Sequence, residues 1–331
     1  MTTTPIELPQ PADPSSGRRG RFRSLSALPR DLILATTQNQ RMVRVGQRWG
    51  MRLGAARFVA GETLDDCIPV LQRLAQRGIR TYTIPLGESV SDRSEVERVV
   101  RLYEQMVERL AHEPFDKTLS VKPTNLGLVL DEELAYENAV RILTAARAEG
   151  LFVRVEMEES RHVDATLRIY RRLREAGFDN TGVVLQAYLY RTEADLRELL
   201  PLDPNVRLVK GAYLEPAAVA FPKKADVDRN YCKLVDIALA GGGFTALATH
   251  DDAMIEHAIA RLAGSPAARE GRYEFQLLFG VRSQLPDRLV ERGHPVRVCV
   301  PYGRDWYVYF GRRLAERPAN LLFVLKSMVR G

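Results

Sequence analysis

The feature that most constrains the fold of this chain is a repeated alternation of strand-like and helix-like segments. Short runs rich in Val, Ile, Leu and Phe recur eight times, and a segment with apolar residues at helical spacing follows each of them. The strand patterns lie at residues 81–88, 118–123, 151–157, 182–188, 206–213, 244–249, 273–278 and 296–300. Strands that alternate with helices favour a parallel sheet. Eight such units predict the α/β class and a closed (β/α)8 TIM-like barrel, which residues 61–331 are long enough to form.

An open, doubly wound sheet is the alternative architecture for the same alternation. A dinucleotide-binding sheet of that kind has a Gly-x-Gly-x-x-Gly turn directly after a strand. No such turn follows any of the eight strand patterns. The barrel is therefore the favoured prediction.

The segments before the barrel have a different composition. Residues 1–30 are rich in Pro, Ser, Thr and Gly and carry a small basic cluster at 18–23, so we expect them to be disordered. Residues 31–60 show a helical pattern broken by glycines, which predicts extra N-terminal helices flanking the barrel.

Composition excludes several classes of protein. No run of 18 apolar residues and no secretory signal pattern is present, so the expected location is the cytoplasm, with peripheral contact at the inner face of the membrane left open. The three cysteines are scattered, which predicts neither a disulfide framework nor a metal site. The net charge of +6 is spread over the chain without a basic block, so no nucleic-acid partner is expected.

In a (β/α)8 barrel the active site lies at the C-terminal ends of the strands. The polar and functional residues at those predicted ends are Glu88, Lys122, Glu156, Gln186, Tyr188, Arg207, Lys210, Tyr213, Thr249, His250, Asp251, Leu278, Cys299 and Tyr302. An adjacent pair, Arg312 and Arg313, follows the last strand and is suited to bidentate hydrogen bonds with a carboxylate.

Three charged residues, Lys122, Glu156 and Lys210, lie in otherwise apolar strand patterns and would be costly to bury unpaired. One interpretation is a Lys–Glu pair that closes the barrel mouth. The other is a polar rim around an anionic or zwitterionic ligand with a phosphate-bearing cofactor. The residues alone leave two chemistries open, a Schiff base on a strand-end lysine or redox chemistry on a bound cofactor.

Several ordered motifs make a family resemblance specific. They are FVAGETL at 58–64, LGE at 86–88, VRLVKGAY at 206–213, ATHD at 248–251, YEFQLL at 273–278 and RRLAERPAN at 312–320. In these motifs the chain resembles the proline dehydrogenase family in its short, single-function form. The resemblance implies a distorted (β/α)8 barrel with non-covalent FAD, oxidation of L-proline to Δ1-pyrroline-5-carboxylate, and a membrane quinone as electron acceptor.

The resemblance also implies roles for individual residues. Glu156 and Arg207 match catalytic positions, with Arg207 near the flavin N5. Substrate-binding positions are matched by Lys122, Tyr213, Leu278, Cys299, Tyr309, Arg312 and Arg313. Cofactor-binding or helix-anchoring positions are matched by Met157, Gln186, Arg207, Val209, Lys210, Gly211, Ala212, Lys224, Thr249, His250 and Glu316. No metal is implied.

Two residues depart from the family pattern. Glu156 replaces the usual Asp, so its carboxylate extends one methylene further. Cys299 replaces a Tyr that packs against the substrate ring, and this predicts space for 4-hydroxyproline or another cyclic imino acid, with an effect of about 1–3 kcal/mol. The alternative of another class is a flavin-binding barrel without catalysis.

Overall fold

The structure, a computed structural model, describes residues 57–87, 90 and 92–303. The predicted N-terminal segment 1–30, almost all of the predicted helices at 31–60, and Glu88 lie outside these residues. The C-terminal site residues Tyr309, Arg312, Arg313 and Glu316 also lie outside them.

Eight parallel strands form one closed barrel in the order of the chain. The strands are β1 (Arg80–Pro85), β2 (Thr118–Val121), β3 (Phe152–Val155), β4 (Thr181–Gln186), β5 (Asn205–Val209), β6 (Phe244–Ala248), β7 (Tyr273–Leu278) and β8 (Val296–Tyr302). The first and last strands pair from Arg80↔Arg297 to Pro85↔Tyr302, which closes the barrel. The predicted (β/α)8 architecture is confirmed.

Helices fill the connections between strands and surround the barrel. They are α1 (Leu64–Ala75), α2 (Arg93–Ala111), α3 (Glu132–Ala148), α4 (Val163–Glu175), α5 (Thr192–Leu199), α6 (Lys224–Ala240), α7 (Asp252–Leu262), α8 (Pro266–Arg269) and α9 (Leu285–Glu291). Among the described residues, no helix combines the length and the apolar character needed to cross a bilayer.

Local capping chemistry sets where these helices begin. The side chains of Asp92, Asp131 and Asp251 accept backbone N–H bonds at the starts of α2, α3 and α7. Thr63 and Asp66 form a capping box at the start of α1. Such caps satisfy backbone donors that have no partner within the helix, so the helix starts follow from short-range sequence.

The barrel has an apolar outer layer and a polar interior. Val296 and Val298 on β8 are buried, and alternation along the strand places them on the helix-facing side, opposite Arg297. The Arg297 guanidinium lies inside the barrel, where its Nε donates to Glu274 Oε1 over 2.7 Å. A second Arg297 nitrogen donates to Asp116. Paired charges therefore fill the barrel beneath the strand ends that carry the site.

Candidate active site

Most of the predicted site residues lie just beyond the strands, because the strands end earlier than the sequence patterns suggest. β3 ends at Val155 and β5 at Val209. Glu156 and Met157 therefore begin the loop after β3, and Lys210, Gly211, Ala212 and Tyr213 lie in the loop after β5. Loop residues at the barrel mouth can approach a ligand from above, while Arg207 remains within its strand.

An ion pair between Arg207 and Glu156 lies at the centre of the mouth. Arg207 Nη2 donates to Glu156 Oε2, and the two side chains are 6% and 16% exposed. The other terminal nitrogen, Nη1, donates to the hydroxyl of Tyr82 over 2.8 Å. Sequence reasoning placed both residues at strand ends but did not pair them; in the structure the Glu156 side chain reaches the guanidinium.

Burial and charge act in opposite directions on these groups. Burial by itself lowers the pKa of Arg207, but the Glu156 carboxylate outweighs it and raises that pKa above its ordinary value. Burial also raises the pKa of Tyr82 well above its ordinary value, against the opposing effect of Arg207. The site therefore holds a permanent cation beside a protonated phenol.

Lys210 and Lys224 share two carboxylates. Lys210 Nζ lies 2.6 Å from Asp228 Oδ1 and 2.9 Å from Asp251 Oδ2, and Lys224 Nζ contacts the same two residues. An imine-forming lysine would have to be desolvated away from carboxylates. Lys210 is not, which disfavours the Schiff-base alternative for this residue.

Lys122 directly follows β2, and its Nζ donates to the carbonyl of Gly87 over 3.3 Å. Nearby, the buried Glu158 carboxylate accepts from Thr124 N and Oγ1 over 3.0 and 2.8 Å. Burial raises the pKa of Glu158, and the Thr124 hydrogen bonds and the Lys122 charge only partly oppose this. The sequence suggested a Lys–Glu pair at the barrel mouth. In the structure Glu156 instead pairs with Arg207, and Lys122 donates to a backbone carbonyl.

The end of β4 offers a buried amide to a ligand. Gln186 is 2% exposed, and its Nε2 donates to the carbonyl of Glu158 over 2.7 Å. No donor to its Oε1 is found in the described part of the chain. A buried acceptor of this kind costs stability unless a partner supplies a hydrogen bond, so Gln186 is suited to bind a ring that carries N–H groups.

Gly211 gives the mouth a second feature that fits a flat ligand. Its φ of +108° is a conformation that side chains disfavour, and an added Cβ would lie 2.2 Å from the Tyr188 ring. The backbone of this loop therefore passes directly over an aromatic side chain. The Gln186 amide and the Arg207 cation, on neighbouring strands, suit a planar ligand that carries N–H groups and can hold negative charge.

The remaining predicted residues line the same end of the barrel. His250 Nε2 accepts from the backbone N–H of Leu278 over 3.1 Å, so it ties the loop after β6 to the end of β7. Thr249 Oγ1 accepts from Asp251 N over 3.1 Å. Met157 and Cys299 are buried, at 6% and 5% exposure.

Several functional-looking residues were missed by sequence reasoning. Tyr82 contacts Arg207 from inside the barrel, Asp228 on α6 binds both lysines, and Glu158 lies in the loop after β3, where it is bound by Thr124. The sequence offered one signal for Tyr82: it is a phenol in the first predicted strand, two residues before the apolar Ile84. Asp228 had none, because its contact with Lys210 depends on how α6 packs.

Comparison with known proteins gives the family of this chain. The sequence model described as proline dehydrogenase matches residues 67–326. Proline dehydrogenase 1 of Bacillus subtilis subsp. natto is 40% identical over 301 residues, which cover 91% of this chain and 99% of the relative. The chain belongs to the proline dehydrogenase family. It is an oxidoreductase. A further member, the proline dehydrogenase of Deinococcus radiodurans, is 38% identical over 313 residues, covering 93% of this chain and all of that one.

Solved structures support the fold of this proline dehydrogenase family member. Proline utilization A from Bdellovibrio bacteriovorus, in a form inactivated by N-propargylglycine, superposes with a TM-score of 0.73 at 22% identity. The match covers 87% of this chain and 36% of that one. A structure of proline utilization A with proline bound in remote sites gives 0.67 at 25% identity, and this chain covers 32% of it. The chain thus spans about a third of these longer proteins, as a barrel domain within them.

Proposed function

We propose that this chain oxidises L-proline to Δ1-pyrroline-5-carboxylate with FAD as the hydride acceptor and a membrane quinone as the final electron acceptor. The proposal rests on the family membership, and the observation that carries it is the buried Arg207 cation. Arg207 is fixed by Glu156 and Tyr82 at the barrel mouth. The neighbouring strand β4 carries Gln186, whose Oε1 has no hydrogen-bond partner among the described residues. A permanent cation and a buried amide on adjacent strands suit a reaction that places negative charge on a flavin.

The substrate carboxylate would be bound by the Lys122 ammonium. Lys122 emerges at the end of β2 and its hydrogen bond to the Gly87 carbonyl is a long one, at 3.3 Å, which a substrate carboxylate can displace. Arg312 and Arg313 would complete the clamp from the helix predicted after β8, with Tyr309, Tyr213 and Leu278 as walls. A clamp with apolar walls holds the proline ring in one orientation, and such positioning is a large part of catalysis.

The residues that would hold the cofactor surround the ends of β4 to β6. Gln186 would bond the flavin ring, the loop over Tyr188 would bring backbone groups close to it, and Lys224, which is 72% exposed, would face the phosphates. Bound FAD would supply acceptance of the hydride that leaves the carbon next to the proline nitrogen, as a C=N bond forms. The remaining cofactor-binding predictions are Met157, Val209, Lys210, Ala212, Thr249, His250 and Glu316.

Arg207 would contribute electrostatically to this step. The Glu156 carboxylate stabilises its charge, which is not lost at physiological pH because the pKa of Arg207 is raised. A fixed positive charge in a site of low polarity stabilises negative charge that develops nearby. Glu156 would keep the guanidinium in place, since its carboxylate is already occupied with Arg207 Nη2.

The first experiment is anaerobic mixing of the purified, flavin-loaded protein with L-proline and, separately, with trans-4-hydroxy-L-proline. The visible absorption band of the flavin is followed by stopped flow. Bleaching by proline supports the proposal, and turnover with a soluble quinone analogue supports the proposed acceptor. Bleaching by hydroxyproline alone would mean that hydroxyproline, and not proline, is the substrate. A yellow protein bleached by neither compound would mean that the substrate is a different one or that the barrel does not catalyse the reaction. A colourless protein that does not take up FAD would refute the cofactor.

A further inference from the structure

Tyr82 reaches across the inside of the barrel. In a closed barrel of eight strands, β1 and β5 are four strands apart in either direction and so lie opposite each other. The hydrogen bond between the Tyr82 hydroxyl on β1 and Arg207 Nη1 on β5 therefore runs through the barrel interior. The Tyr82 ring, 7% exposed, lies under the mouth, and the Arg207 guanidinium carbon is 5.2 Å from its centroid.

The hydroxyl of Tyr82 accepts from Arg207 Nη1. Cys299 is the register partner of Tyr82 on β8, and its side chain acts to raise the pKa of the Tyr82 phenol. Tyr82 thus lies between a charged residue on β5 and a thiol on β8.

The same arrangement accounts for the space at Cys299. Tyr82 and Cys299 are register partners in the β1–β8 pair, and register partners in a sheet point to the same side. Both side chains are buried. The Tyr82 ring therefore fills the region beside Cys299, which sequence reasoning expected to be open.

We propose that Tyr82 is a positioning and specificity-determining residue of this site: its hydroxyl fixes the Arg207 guanidinium from below, and its ring occupies the space beside Cys299. The inference rests on the proposed function, which it deepens. Arg207 is then held at both terminal nitrogens, by Tyr82 and by Glu156, so its plane is fixed. The filled pocket favours proline over substrates with a substituted ring, such as 4-hydroxyproline.

The first test removes one oxygen atom by Tyr82→Phe, which keeps the ring. We expect kcat for proline to fall about tenfold, equivalent to about 1.4 kcal/mol, with KM within twofold of wild type. The midpoint potential of the bound flavin should shift to more negative values, because the Arg207 charge is no longer held in place.

The matched control is Tyr231→Phe. Tyr231 on α6 is also buried, at 0% exposure against 7% for Tyr82, and its hydroxyl has no hydrogen-bond partner within the described residues. If the loss of a buried hydroxyl acted only on the structure, kcat and the flavin potential would change alike in both variants. Equal behaviour of the two variants, or an unchanged kcat and potential in Tyr82→Phe, would overturn the positioning role.

The second test, a side-chain exchange, moves the large aromatic side chain from position 82 to position 299, its register partner. Cys299→Tyr alone should lower the melting temperature and raise the KM for proline at least tenfold, because two rings compete for one space. The same substitution in a Tyr82→Ser background should restore KM to within about threefold of wild type and recover the melting temperature. Tyr82→Ser alone should raise the hydroxyproline-to-proline ratio of kcat/KM about tenfold.

Additive effects in this exchange would show that Tyr82 and Cys299 do not share a space, and would overturn the specificity role. The melting temperatures need no substrate. If the wild-type protein is not reduced by proline, the proposed function fails, while non-additive melting temperatures still support the shared space. The exchange also decides the question if Tyr82→Phe does not fold.

Discussion

The ion pair between Glu156 and Arg207 makes the sharpest prediction for a single substitution, Glu156→Gln. Glutamine has nearly the same shape, and its amide oxygen can still accept from Arg207 Nη2. The change therefore removes one negative charge and leaves the hydrogen bond. Arg207, 6% exposed, is left with a buried charge that no carboxylate of residues 57–87, 90 and 92–303 pairs with.

The magnitude follows from the burial of the pair. Removing one partner of a buried ion pair outright costs about 3–5 kcal/mol. A hydrogen bond to a charged group is worth about 1.5–3 kcal/mol and a neutral one about 1 kcal/mol. Because the substituted amide would keep a hydrogen bond to the guanidinium, we expect a loss of about 1–2 kcal/mol in the free energy of unfolding. For a chain of this size, with about 2.1 cal/mol/K of unfolding entropy per residue, that corresponds to roughly 1–3 °C in melting temperature.

Calorimetry and urea unfolding of the flavin-loaded protein measure this loss, and proline turnover is measured on the same preparations. The matched control is Glu132→Gln. Glu132 pairs with Arg168 over 2.6 Å on the surface, with side chains 32% and 55% exposed. An exposed pair is worth about 0.2–1 kcal/mol or less, so the control should lose less stability and keep its turnover.

A double-mutant cycle with Arg207→Met decides whether the loss comes from this pair. In the Arg207→Met background, Glu156→Gln should cost at least about 1 kcal/mol less than in wild type. If the cost is the same in both backgrounds, or if the surface control loses as much as Glu156→Gln, the argument from a buried pair is refuted.

Three further predictions concern the loops around the site. Burial raises the pKa of Glu158 above 4.5. Its ionised form therefore lowers the stability of the fold as the pH rises through that raised pKa. In thermal unfolding, Glu158→Gln should be more stable than wild type at about pH 7 and should gain no stability below about pH 4. Gly211→Ala should lower the flavin-to-protein absorbance ratio more than Gly242→Ala, since both have positive φ but only the first collides with a neighbouring ring. Burial acts to raise the pKa of Asp251, but hydrogen bonding to Lys210 outweighs it and the pKa is lowered from 3.8. The stabilisation of the fold by this ion pair is therefore present above that ordinary value and is lost as the pH falls through the lowered pKa. Lys210→Met should lose stability at about pH 7 and converge with wild type in acid.

The number, order and direction of the strands could be predicted from the sequence, because each depends on a short local pattern. Strand ends were predicted less well. The pattern at 206–213 continues past the end of β5 at Val209, since Lys210 and Gly211 fit a strand by composition but leave the sheet at the mouth. Glu156, Lys122 and Arg207 were nevertheless predicted at the correct end of the barrel, because the topology of a (β/α)8 barrel places all strand ends together.

Which side of each strand faces inward was decided by the tertiary structure. The alternating Val296, Val298 and Val300 mark β8 as buried, yet the interior contacts belong to Arg297 and Cys299. Both faces of a barrel strand are buried, so an apolar pattern cannot distinguish the helix-facing side from the interior.

The sequence by itself therefore determined the (β/α)8 fold, the family and several of the described residues at the mouth, among them Lys122, Glu156 and Arg207. Only the tertiary structure decided their partners: Arg207 with Tyr82 from the opposite strand, and Lys210 with Asp228 and Asp251 from two other elements. The physical reason is distance along the chain. Capping and strand patterns are set by neighbours a few residues apart, whereas Arg207 and Tyr82 are separated by 125 residues and meet only when the barrel closes.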